Sequence, residues 1–229
     1  YGLVGSEMCI RDSLETARAA LGPEHTRTLD IAMALGNVTW QAGHPGEARD
    51  LMERTLSIME RHNGPDHPAV LSLVNNLAFV YRETGDTGKS LAAFERALDA
   101  KRRTLGEDHW STAVGYHNLG HQLRMMGRPE EAIPNHEEAV AIARRIFAPD
   151  DIRIQLLNSG YGQALLASKR LNEAEGILTT VYERISSEYG ADHSRSQSVA
   201  ALLDTVYTKM GDADRAGRYQ QLAGSGAGQ

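Results

Sequence analysis

Apolar positions recur along the chain three and four residues apart, in stretches separated by short turns rich in Gly, Pro, Asp and His. Leu71, Val74, Leu77, Ala78 and Tyr81 fall on one face of a helix, and Leu91, Phe94, Ala97 and Leu98 on one face of the next. The pattern predicts first helices over about 26–42, 68–84, 110–126, 151–168 and 194–210, and second helices over about 45–62, 87–104, 129–146, 171–188 and 212–223. Pro45 and Pro129 stand near helix starts, where a missing N–H costs nothing. Pro134 lies deeper and predicts a local irregularity in its helix.

The helix pairs repeat. Gly22-Pro23-Glu24-His25, Gly64-Pro65-Asp66-His67, Gly106-Glu107-Asp108-His109, Ala148-Pro149-Asp150-Asp151 and Gly190-Ala191-Asp192-His193 begin 42 residues apart each time, without an insertion. A second turn column, Gly43, Gly85, Gly127, Lys169 and Gly211, falls where each first helix should end, because Gly takes the left-handed conformation there at little cost. Small residues at Ala48, Ser90, Ala132, Ala174 and Ala216 let two helices approach closely. A further column holds Thr55, Ala97, Ala139, Val181 and Ala223.

These columns carry a family resemblance. Leu35, Leu77, Leu119, Tyr161 and Leu203, then Gly36, Ala78, Gly120, Gly162 and Asp204, then Thr39, Tyr81, Leu123, Leu165 and Tyr207 resemble the small and large positions of the tetratricopeptide repeat. The 42-residue period with its Gly-x-acid-His turn is similar to the longer-helix variant of kinesin light chains and many bacterial proteins. The resemblance covers residues 14–223, with its departures in the fourth and fifth repeats, and implies an all-α, right-handed superhelical solenoid of antiparallel helix pairs. The expected organisation is repeats at 22–63, 64–105, 106–147 and 148–189, a capping repeat at 190–223 with a polar last helix, and a flexible tail at 224–229.

The front of the chain reads differently. Residues 1–13, Leu3 to Ser13 in particular, resemble the in-frame translation of a sequencing adaptor and are set aside as a non-native segment. Leu14, Ala17 and Leu21 are in register with Leu56, Met59 and Asn63, so residues 14–21 read as the remnant of a severed upstream repeat. The only cysteine, Cys9, lies in the set-aside segment, and a chain without other thiols is compatible with a cytoplasmic protein.

Composition narrows the partners. The 30 acidic and 24 basic residues are interspersed and sum to −6, with no basic stripe for a phosphate backbone, so nucleic acid is not expected. No apolar run approaches the ~20 residues of a membrane span. No Gly-rich phosphate loop, nucleophile elbow or paired catalytic acid is present, which predicts a protein that is not an enzyme and carries no cofactor.

The residue types that could carry chemistry also have structural roles. The turn histidines His25, His67, His109 and His193 form a ladder too widely spaced for a shared metal and suit helix capping. His117 and His121 have the spacing of two zinc ligands, but Asn118 stands where a metalloprotease needs Glu, and no third ligand is evident. Asn37-Val38-Thr39 fits a glycosylation sequon but lies inside a predicted helix.

What remains is the first-helix face, which the resemblance makes the concave, ligand-contacting surface. It offers Asn37, Trp40 and Gln41, then Asn75, Asn76, Phe79, Arg82 and Glu83, then His117, Asn118, His121, Arg124 and Met125, then Ser159 and Gln163. Asn76 and Asn118 occupy a column where the family presents an amide to a peptide backbone. Arg82 and Arg124, one period apart, suit an acidic or carboxylate-bearing protein or peptide partner. Three further readings stand beside this scaffold: a solvated helix face without a ligand, the sensor or autoinhibitory arm of a larger bacterial signalling protein with an upstream catalytic or nucleotide-binding domain, and self-association through the first repeat.

Overall fold

The computed structural model describes residues 2–224, which form eleven helices: α1 (Gly2–Leu21), α2 (Thr26–Gln41), α3 (Pro45–Asn63), α4 (Pro68–Glu83), α5 (Thr87–Leu105), α6 (Trp110–Met125), α7 (Pro129–Ile146), α8 (Ile152–Ala167), α9 (Leu171–Tyr189), α10 (Ser194–Met210) and α11 (Ala213–Gly224). Apart from Gly224, the tail read at 224–229 lies outside the described residues. The chain divides between Arg103 and Thr104 into two compact units, one holding α1 to α4 and most of α5, the other α6 to α11. Within each, consecutive helices pack on one another, with α4 and α5 joined by the Phe79–Phe94 ring contact and the Ser90 hydroxyl donating to the Ala78 carbonyl.

The helix starts follow from capping chemistry. His25, His67, His109 and His193 each hold an extended N-cap conformation and accept through Nδ1 the backbone N–H two residues on, at 3.2, 3.2, 3.0 and 3.2 Å. Asp151 does the same in the fourth repeat, accepting the Arg153 N–H at 2.9 Å. An imidazole can cap only while Nδ1 carries a lone pair.

The helix ends follow from backbone geometry. Gly64 has φ 82° and ψ 159°, a region nearly closed to residues with a Cβ. Lys169 stands where the other repeats have Gly and takes φ 62°, the one non-Gly residue at positive φ among those described. Despite Pro134, α7 runs uninterrupted from Pro129 to Ile146. Pro134 is exposed and near the start of the helix, so its missing N–H leaves one carbonyl to solvent.

In the first four repeats the core is built from a knob on the second helix seated over a small residue of the first. Met52, His136 and Leu178 are each fully buried, and a Cβ added to Gly36, Gly120 or Gly162 would lie 2.8 Å from Met52 Cγ, 2.9 Å from His136 Cδ2 or 2.6 Å from Leu178 Cγ. Phe94 occupies the same column in the second repeat, with Ala78 at the small position. In the second unit Ala113, Ala139, Val140, Ile142, Ala143, Ile154 and Leu157 form an adjoining apolar cluster.

Ion pairs close three of the repeats on themselves. Arg61 reaches Glu24 at 2.9 Å, Arg103 reaches Asp66 at 2.6 Å and Arg145 reaches Asp108 at 2.6 Å, joining the end of each second helix to the turn that opened its own repeat. In the fourth repeat Arg184 donates instead to the Asp150 carbonyl at 3.0 Å. Solvent screens these exposed pairs, so they contribute little to stability.

The segment set aside in the sequence is helical here. α1 continues from Gly2, and Ile10 packs with Leu14 against Ala32 and Leu35, extending the apolar stripe by one turn. Cys9 is an exposed free thiol. Among the described residues, no helix is long and apolar enough to cross a membrane.

Candidate functional site

In the first unit, the candidate residues of α2 and α4 join into one cluster. The rings of Trp40 and Phe79 stack with centroids 6.0 Å apart, and the Arg82 guanidinium lies 5.0 Å from the Phe79 centroid. Phe79 also meets the buried Phe94 edge-on at 5.0 Å, so the half-buried aromatic layer is anchored in the core. Trp40 donates its indole N–H to Glu83 at 2.7 Å. Asn76 donates to Asn37 at 3.0 Å, so one of its amide donors is already engaged within the protein. Gln41 is exposed.

The cluster is basic and partly desolvated. Burial lowers the pKa of the Arg82 guanidinium, an effect that the neighbouring Glu83 opposes. Asn75 accepts a hydrogen bond from Lys101 of α5 at 3.1 Å, and burial lowers the pKa of that ammonium too. Lys101 was not among the sequence candidates. It stands in the column of Met59, Ala143 and Ile185, all buried, so a charged residue in an otherwise apolar column was the signal available.

In the second unit, His117, Asn118, His121 and Arg124 of α6 and Gln163 of α8 are all half-buried. Arg124 is lowered in pKa by burial, and its Nε meets no protein hydrogen-bond partner. His117 faces inward. Its ring meets that of His136 edge-on at 5.1 Å, and its Cε1 would lie 2.5 Å from a Cβ at residue 160, which is Gly. Residue 160 continues the column of Asn76 and Asn118, so the amide is absent from the fourth repeat where the His117 ring needs the space. His136 was also missed in the sequence, although it interrupts the column of Met52, Phe94 and Leu178.

Among the described residues, no group of three or more His, Cys, Asp or Glu side chains is placed to hold a metal ion. Both faces carry amides and partly dehydrated cations, and the first adds a stacked pair of aromatic rings.

The tetratricopeptide repeat family matches residues 5–61, 47–103 and 69–145, more than half of the chain, and the chain belongs to that family. Its fold is that of a scaffold for protein–protein interaction, a generally non-catalytic class. Among solved structures, the chain is similar to a putative kinesin light chain of Podosopora anserina with nearly identical repeats, at 21% identity and TM-score 0.74, covering 88% of this chain and 95% of that one. It is similar to BtubC (BKLC) of P. vanneervenii at 18% identity and TM-score 0.76, covering 100% and 94%. It is also similar to YrrB, described as a tetratricopeptide repeat protein with an unusual peptide-binding site, at 15% identity and TM-score 0.58, covering 93% and 92%. No curated protein sequence matches the chain.

Proposed function

We propose that the chain is an interaction scaffold that holds a peptide segment of a partner protein on its first-helix faces. Asn37, Trp40, Gln41, Asn75, Asn76, Phe79, Arg82 and Glu83 form the recognising face of the first unit, and His117, Asn118, His121, Arg124 and Gln163 that of the second. The observation that carries the reading is the layer of Trp40, Phe79 and Arg82. A tryptophan and a phenylalanine are stacked in half-buried positions, backed by a core ring, with a partly dehydrated guanidinium over one of them. Aromatic and arginine anchors of this kind dominate binding energies at protein interfaces. The peptide-binding site described for YrrB supports the same use of the fold.

The basic character of Arg82 and Arg124 favours an acidic or carboxylate-bearing segment, whose binding weakens as salt screens the charges. A peptide array probed with the full chain tests this. Selected peptides should be enriched in Asp, Glu or a free C-terminus, and Arg82→Glu and Arg124→Glu together should abolish their capture. Capture that survives the double substitution overturns the assignment of the face.

A further inference from the structure

The knob of the third repeat is chemically out of place. His136 is fully buried where the other repeats place Met52, Phe94 and Leu178, and neither Nδ1 nor Nε2 meets a protein hydrogen-bond partner. The ring is held between Gly120 of α6, whose Cβ would lie 2.9 Å from its Cδ2, and Gly160 of α8, whose Cβ would lie 2.9 Å from its Cε1. His117 closes the site with an edge-on contact, and its own Nδ1 is equally unpartnered. The charged and titratable groups bearing on His136 are His117, His121 and Arg124, all basic and all from α6, while α8 presents the Gly160 backbone. On its own helix, Glu137 is bound by Tyr161 and Glu138 by Arg145.

A neutral ring fits this site by shape alone. An imidazolium does not, since it has two N–H donors that need acceptors, no access to water and only basic neighbours. We propose that His136 makes the second unit acid-sensitive: protonation of this ring opens the packing of α6, α7 and α8. Opening gives the ring water, and the proton is then taken up at the ordinary imidazole value.

The direction agrees with the electrostatics. Burial, then His117, His121 and Arg124, pull the His136 pKa down to about 3, and burial lowers that of His117 as well. A histidine depressed in the closed state contributes its full stability above the ordinary value of about 6.5 and loses it as pH falls towards the depressed one. Between pH 7 and pH 5 the ratio of open to closed second unit should rise about 25-fold from His136 alone.

Each unit carries two capping histidines, His25 and His67 in the first, His109 and His193 in the second, so the number of such caps does not distinguish the units. The difference between units reports the inward-facing histidines of the second, and substitution of His136 separates its share from that of His117. Hydrogen exchange by mass spectrometry on the full chain, corrected for intrinsic rates, compares α6–α8 with α2–α4 at pH 7 and pH 5. Protection in α6–α8 should fall at least about 25-fold more than in α2–α4. About 25-fold of that excess should be lost in His136→Met and His136→Leu, which install residues already used in this column over Gly36 and Gly162 and leave only the share of His117. An excess undiminished in either folded variant overturns the proposal. Equal loss in the two units of the parent chain overturns it as well, and that measurement decides alone if neither variant folds.

Discussion

Glycine to alanine at two positions of the fourth repeat should move stability in opposite directions. Gly162 lies within α8 and Gly176 within α9, and each gains up to about 1 kcal/mol of helix propensity from an alanine. At Gly176 a Cβ meets nothing within 4 Å, so Gly176→Ala should stabilise by about 0.5–1 kcal/mol. At Gly162 the Cβ would stand 2.6 Å from both Cγ and Cδ2 of Leu178, a fully buried residue. The contact falls on a branch point rather than a flexible tip, so the helices must separate. Overpacking of this kind costs about 1–3 kcal/mol, which leaves Gly162→Ala about 1 kcal/mol less stable than the parent. The two variants then differ by about 2 kcal/mol, or about 1 M in urea midpoint for an m-value near 2 kcal/mol/M. Urea titrations followed by circular dichroism measure this directly. Leu178→Ala costs about 2–5 kcal/mol alone but removes the clash, so the double variant Gly162→Ala, Leu178→Ala should be at least about 1 kcal/mol more stable than additivity predicts. Midpoints that move the same way, or strict additivity in the double variant, would refute the knob-on-glycine account.

The helix caps provide two further expectations. His67→Ala removes the acceptor for the Ala69 N–H and should cost about 1 kcal/mol in urea unfolding, whereas His67→Asp should retain the cap, as Asp151 does in the fourth repeat. For Asp151, hydrogen bonds from the Arg153 side chain and backbone hold the carboxyl down to about 2, below its ordinary 3.8. A carboxyl lowered by folding contributes stability that is present above the ordinary value and lost as pH falls through the lowered one. The gap in melting temperature between the parent and Asp151→Asn, measured from pH 5 to pH 2, should therefore close as pH falls.

The helices were legible because their determinants are local and repeat. The expected 26–42 is Thr26–Gln41, the expected 129–146 is Pro129–Ile146, and the turn histidines His25, His67, His109 and His193 each cap the first helix that follows them. The first-helix faces were legible as columns but not as partnerships. Trp40 with Glu83 and Asn76 with Asn37 join residues about one period apart, and only side-chain torsions decide whether such residues meet or point past each other. On second helices, Lys101 and His136 interrupt apolar columns, and a single polar residue in such a column leaves the helical periodicity intact. A column is informative where it breaks, and both breaks lie beside the candidate faces.

The pairs Arg61–Glu24, Arg103–Asp66 and Arg145–Asp108 each begin and end inside a single repeat. A genetic event that copies or deletes 42 residues from one turn to the next therefore transmits each of these fastenings complete. Selection acting on the number of such modules need not find compensating changes in these charges, because each module arrives already latched.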